Sequence, residues 1–155
     1  MTSLPVDELD AQGVIARLGL EYLPGEGVWV GLLWRNDSGN AIHALLTRDG
    51  FSALHRLQED ELWLHVAGAP VEMVLLHRDG TSSRHRLGRA EGEEMSVLVP
   101  AGAWQGSRPL GEWALVACAL APPFSGFELA DGATDLAAWG EGSPAVRAAR
   151  GLIRG

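Results

Sequence analysis

Apolar residues along this chain come in short runs separated by glycine, proline and aspartate. The runs 28–34, 41–46, 54–57, 62–66, 71–76, 84–87, 95–99 and 113–120 are each four to eight residues long. Runs of that length, bounded by turn formers, read as strands. Eight or nine of them at regular spacing point to an all-β sandwich or barrel. The Asp-Gly pairs 49–50 and 79–80 read as hairpin turns, because glycine accepts the positive φ such turns require. Pro100-Ala101-Gly102 reads as the turn into one more strand. Leu9, Val14, Ile15, Leu18 and Leu20 are partly helix-spaced, which predicts a short helix within 4–20. Asp7 and Glu8 sit in its expected first turn and Gly19 at its stop. After Pro122-Pro123 the chain becomes rich in Ala and Gly. The core is therefore placed at about 28–130, and 131–155 reads as a peripheral tail with a short helix at 144–153 and no chemistry.

Composition narrows the function. At 155 residues the chain suggests one domain, 1–155, and 46% hydrophobic residues suffice for a sizeable core. The 20 glycines and 8 prolines suit a turn-rich fold. A net charge of −8 argues against nucleic-acid binding, which depends on attraction to phosphate. A single cysteine, Cys118, permits no intrachain disulfide and fits a cytoplasmic protein. In an apolar run it reads as buried and inert. The N-terminus lacks the basic and apolar regions of a signal peptide, and no stretch is apolar enough to span a membrane.

One pattern occurs twice. Arg48-Asp49-Gly50-x-Ser52-x-x-His55-Arg56-Leu57 returns as Arg78-Asp79-Gly80-x-Ser82-x-x-His85-Arg86-Leu87, 30 residues on. His55 follows apolar Phe51, Ala53 and Leu54. His85 sits among Thr81, Ser82, Ser83, Arg84 and Arg86, so it reads as a surface histidine on an exposed strand. His77 reads as surface, His43 as a satisfied core or groove residue, and 91–94 as a solvated loop. Strand side chains alternate in direction. If His55 points inward and the turn 58–60 is tight, Glu61, Trp63 and His65 point inward as well. Gln105 is expected to reach the same cavity from the strand after Gly102. Leu62, Leu64 and Val66 then face a second layer or a partner. Of the six tryptophans, Trp63 is the best candidate for a cavity wall.

The spacing H-x-L-x-x-x-E-x-x-x-x-x-x-G from His55 to Gly68, followed by P-x-G-x-x-Q from Pro100 to Gln105, resembles the two motifs of the cupins. The segments H-R-L-Q-E-D-E-L-W, V-P-A-G-A-W-Q and L-V-A-C-A-L-A-P-P-F-S-G-F-E-L-A are similar to a small cupin subfamily of mostly unassigned function. Its members look like deoxysugar-nucleotide epimerases and seed storage proteins. The resemblance implies a jelly-roll barrel, or double-stranded β-helix, with a short N-terminal helix, pairing as a homodimer through an edge of its sheet. In cupins, two histidines, a glutamate and a third histidine bind metal. His55 and Glu61 match the first histidine and the glutamate. Leu57 and Gln105 stand where the other histidines belong. The subfamily's His-Pro-Glu-Gly-Gly segment corresponds to Leu23-Pro24-Gly25-Glu26-Gly27, and a glutamate usual on the next strand is replaced near Gly31.

Two chemistries follow for a small polar, sugar-like or organic-acid ligand held by His55, Glu61, Trp63, His65 and Gln105. In one, a divalent iron, nickel, manganese or zinc ion sits on His55, Glu61 and the weaker ligand Gln105. In the other, His55 and Glu61 act as a catalytic acid–base pair without metal, in isomerisation or epimerisation. Sugar epimerases of this shape use a tyrosine acid, and Tyr22, the one tyrosine, is expected in a loop away from the barrel strands. A non-catalytic binding protein is the alternative reading.

Overall fold

The computed structural model describes residues 3–155. Strand β1 spans Glu21–Tyr22, β2 Trp29–Asn36, β3 Gly39–Thr47, β4 Ser52–Leu57, β5 Glu61–Gly68 and β6 Val71–Leu76. Then follow β7 Ser82–Leu87, β8 Ser96–Val99, β9 Trp104–Pro109, β10 Trp113–Leu120 and β11 Phe127–Leu129. One sheet has the order β1-β2-β3-β10-β5-β8 and the other β11-β4-β9-β6-β7. Their inner faces meet in a core that includes Leu46, Trp63, Met73, Leu75, Val116 and Cys118. The architecture is the expected all-β jelly roll, but as a sandwich of two open sheets rather than a closed barrel.

Three sequence expectations need correction. The segment after Asp49-Gly50 leaves one sheet for the other, since β3 and β4 lie in different sheets. It is a sheet-to-sheet crossing, and Gly50 does not have the positive φ of a hairpin glycine. Glycine is needed there for close approach: a Cβ would lie 2.9 Å from the Gly27 carbonyl oxygen. The connection 58–60 likewise crosses between sheets, so β4 and β5 face each other across the core instead of lying side by side. Tyr22 is not in a loop: it pairs with Trp29 in β1, 48% exposed. Asp79-Gly80, by contrast, does close the β6–β7 hairpin, with Gly80 at φ 88°.

The N-terminal helix α1 is shorter than the range 4–20, at Ala11–Leu18. Asp7 and Glu8 fall in a separate single turn at Val6–Glu8. Asp10 caps α1 by accepting the Gly13 N–H at 2.8 Å, and Gly19 ends it in the left-handed conformation. Val14 and Leu20 bury against Leu45, Trp113 and Leu115 on the outer face of the six-stranded sheet. The rest of that face is uncovered. Trp34, Ala41, Ala119, Leu62 and Leu98 are successive cross-strand partners and form one apolar row across it.

The C-terminal segment lies outside the sandwich, as expected, and adds a third layer. Helix α2, Pro144–Arg150, starts at Ser143, whose hydroxyl accepts the Val146 N–H. Leu136, Val146, Ala149 and Leu152 bury against Leu54, Val74, Leu76 and Trp104 on the outer face of the five-stranded sheet. Among the described residues no helix is long and apolar enough to cross a membrane.

Candidate functional site

The β4 strand directs His55 into the core, where it is 2% exposed. Its Nδ1 lies 2.6 Å from the carbonyl oxygen of Ala53. A carbonyl only accepts, so Nδ1 carries a proton, and in the neutral ring the lone pair is on Nε2. That nitrogen faces Glu26 Oε1 at 3.8 Å. Glu26 is held in turn by the Ser52 hydroxyl, which donates to the same oxygen at 2.7 Å.

From the opposite sheet, β5 brings Glu61 and Trp63 inward. Glu61 Oε1 accepts the indole N–H of Trp63 at 2.9 Å and the amide N–H of Gln105 at 3.0 Å. One carboxylate thus bridges the two sheets. Burial raises the Glu61 carboxyl above its ordinary value of 4.5; nearby His55, when protonated, opposes the rise and Glu26 adds to it. Cys118 lies within the field of both carboxylates, and burial pushes its thiol well up, so it is unreactive as expected.

Of the five residues expected to line the site, His55, Glu61, Trp63 and Gln105 come together. His65 shares their inward face, as the partner of Val116, but its Nε2 is occupied by the Ala69 carbonyl at 2.9 Å. It makes no hydrogen bond to the cluster. Among the described residues no three of His, Cys, Asp and Glu are grouped so as to hold a metal ion. Glu61 Oε1 already accepts two N–H donors, and an amide is a weak ligand. The donor set His55, Glu61 and Gln105 does not fit a resident divalent ion.

Glu26, Ser52 and Ser107 were not found by sequence reasoning. Glu26 stands between Gly25 and Gly27, both at positive φ, in a loop folded onto the end of the core. The glycine–glutamate–glycine triplet was the available signal. Arg154, from the far end of the tail, donates to the carbonyls of Phe51, Asp49 and Glu26 at 2.7, 3.1 and 3.4 Å. The tail therefore clamps the loop that presents Glu26, a role the chemistry-free reading of 131–155 did not include. Two buried oxygens near the cluster have no hydrogen-bond partner, Gln105 Oε1 and Ser107 Oγ.

The cluster is closed rather than lining an open cavity. Phe127 covers it, with its ring 6.0 Å from that of His55. Phe127 also lines a surface cleft of about 540 Å³ together with Arg56, Gln58, Arg78 and Glu128. A single side chain therefore touches both the cleft and the buried imidazole.

Comparison with known proteins agrees with this architecture. The family described as Cupin_5, Cupin superfamily (DUF985), matches residues 12–131. The chain belongs to that family. A solved structure from Shewanella oneidensis is 28% identical, with 94% of this chain and 98% of that one covered and a TM-score of 0.82. A hypothetical protein from Leishmania major is 27% identical over 79% of this chain and 88% of its own, with a TM-score of 0.74. A cupin-2 domain from Rhodospirillum rubrum, 19% identical over 88% and 91%, shares the fold at a TM-score of 0.63. No curated protein matches the chain. The chain is thus a cupin-fold domain of a small-molecule-binding superfamily.

Proposed function

We propose that this cupin, a single domain spanning 1–155, holds a small, hydroxyl-rich, sugar-like metabolite at the buried cluster and moves a proton on it, as an isomerase or epimerase does. The observation that carries the reading is the 2.6 Å contact between His55 Nδ1 and the Ala53 carbonyl oxygen. With Nδ1 committed to the Ala53 carbonyl, Nε2 is free to take a proton from a bound ligand and return it. Glu26 and Glu61 stabilise the imidazolium formed on the way. Ligand class follows from the balance of donors and acceptors. Two carboxylates, the Nε2 lone pair and the unpartnered oxygens of Gln105 and Ser107 are acceptors. A ligand rich in hydroxyl donors satisfies them, whereas the anion of an organic acid meets like charge. Entry is through Phe127, from the cleft beyond it. The closed packing favours a second reading, a binding protein that orients its ligand without turning it over.

Deuterium exchange separates the two. An isomerase incorporates solvent deuterium into a bound polyol or sugar at carbon, and His55→Gln lowers the rate ~100-fold or more. Retention of the ligand without exchange leaves binding alone. Stoichiometric iron, nickel, manganese or zinc in the purified protein, lost in Glu61→Ala, would overturn the metal-free chemistry.

A second copy of the chain is the proposed partner, covering the uncharged row Trp34, Ala41, Ala119, Leu62 and Leu98 in a reducing cytoplasm. Leu98 and Trp34 are 57% and 46% exposed, and a row of such residues in a chain with 21% charged residues is unusual for a free surface. Light scattering should report a dimer for the native chain and a monomer for Leu62→Glu.

A further inference from the structure

At the open edge of the five-stranded sheet, four side chains form one hydrogen-bonded line away from the buried cluster. Glu94 Oε2 lies 2.7 Å from His85 Nδ1, and His85 Nε2 lies 2.9 Å from Ser83 Oγ. His77 Nε2 lies 2.8 Å from the same Ser83 oxygen. Ser83 and His85 alternate along β7 and pair with Leu75 and Met73, so both point to the inner side of the sheet, at its rim. His85 and His77 do lie at the surface, but not freely in solvent: the His85 side chain is 21% exposed, and His77 is half-buried.

The proton order along the line is determined by what each group can do. An ionised carboxylate only accepts, so in the neutral ring, the form that can act as a base, His85 Nδ1 carries the hydrogen and Nε2 the lone pair. Ser83 must then donate its hydroxyl proton to His85, which leaves His77 Nε2–H as the donor to Ser83 Oγ. A hydroxyl, an imidazole base and a carboxylate that orients the base are the components of an activated serine. The extra imidazole donates an N–H to the serine oxygen and so holds the hydroxyl proton turned toward His85. His77, His85 and Glu94 form no metal-holding group.

We propose that Ser83 is a nucleophile toward acyl esters, with His85 as its base and Glu94 as a positioning residue. In the first half-reaction Ser83 Oγ bonds to the acyl carbon while its proton passes to His85 Nε2. The ester C–O bond then breaks, and the proton leaves with the alcohol. Water attacks the acyl-serine in the same way, its proton passing through His85 to Ser83 Oγ as the carboxylic acid departs. With an activated phenyl ester the first step expels a good leaving group, so attack by water is the slower step and the acyl-enzyme accumulates.

The test treats the full chain with a fluorophosphonate probe and with p-nitrophenyl acetate, and maps the adduct by mass spectrometry. The expected result is one adduct, on Ser83, and a stoichiometric burst of nitrophenol. Ser83→Ala abolishes both, His85→Gln slows labelling ~100-fold or more, and Ser96→Ala, an exposed serine on the other sheet, leaves them unchanged. Glu94→Gln slows labelling ~10-fold or more, and Glu94→Asp, which still accepts from His85 Nδ1, restores most of the rate. The ionisable groups facing His85 are Glu94 and His77; Arg84 and Arg86 point to the other side of β7, where Arg84 pairs with Glu72. An adduct on another residue, no adduct on the native chain, or equal rates in His85→Gln overturns the proposal. The mapping on the native chain decides even where a variant does not fold.

Discussion

The segments Arg48–Leu57 and Arg78–Leu87 share the pattern R-D-G-x-S-x-x-H-R-L and end in different structures. In the first, the turn crosses from one sheet to the other and the strand beyond it is buried between β11 and β9. In the second, the turn closes a hairpin and the strand is the outermost of its sheet. The consequences for the two histidines follow from neighbours and not from the pattern. His55 is enclosed by Phe127 and the Glu26 loop; His85 lies at a rim, with Glu94 half in solvent. The same local letters give a desolvated imidazole in one place and a water-accessible one in the other.

The glycines of the two turns should break the symmetry most clearly. Gly50→Ala forces a Cβ against the Gly27 carbonyl and Thr47 Oγ1, at 2.9 and 2.7 Å. We expect a loss near the top of the ~1–3 kcal/mol range for overpacking, together with displacement of the Glu26 loop. Gly80→Ala meets only the strain of a positive φ, about 1–2 kcal/mol. Urea unfolding of both variants measures the difference, and equal losses would mean that the two turns are equivalent after all.

The histidines come next. His55→Ala strands the Ala53 carbonyl in the core and should cost about 1–3 kcal/mol. His85→Ala gives up a partly exposed contact with Glu94 and should cost under ~1 kcal/mol.

The smallest effect concerns charge. The folded state raises the Glu61 carboxyl above 4.5, so the native chain binds that proton more tightly than the unfolded chain does. The penalty is absent below the unfolded value, grows as pH rises above it, and is complete above the raised folded value. Glu61→Gln keeps an oxygen for the Trp63 and Gln105 N–H groups and removes the charge. The variant should therefore gain stability over the native chain from about pH 4.5 upward, with the full gain present above the raised folded value. Thermal melts across pH test the sign: a loss at neutral pH would show that Glu61 is ionised and well compensated by His55.

Much of the fold was legible because strand periodicity and turn residues are local. The runs 71–76 and 113–120 coincide with β6 and β10, and Gly19 ends α1 where expected. Which turns cross between sheets was not legible, since Asp-Gly at 49–50 and at 79–80 looks alike in sequence. The site was legible in part. His55, Glu61, Trp63 and Gln105 follow from alternation and motif spacing. Glu26 did not, because it arrives from a loop placed by Arg154, 128 residues further along. His65 did not separate from the others, because a strand's face says nothing about which partner its ring finds.

By itself the sequence determined the alternation, the turns and the identity of the groups that enter the core, all set by neighbouring residues along the chain. Only the tertiary structure decided which groups meet, which are desolvated and which proton sits on which nitrogen. Those properties depend on the distance to atoms far away in the chain and on the water that packing removes.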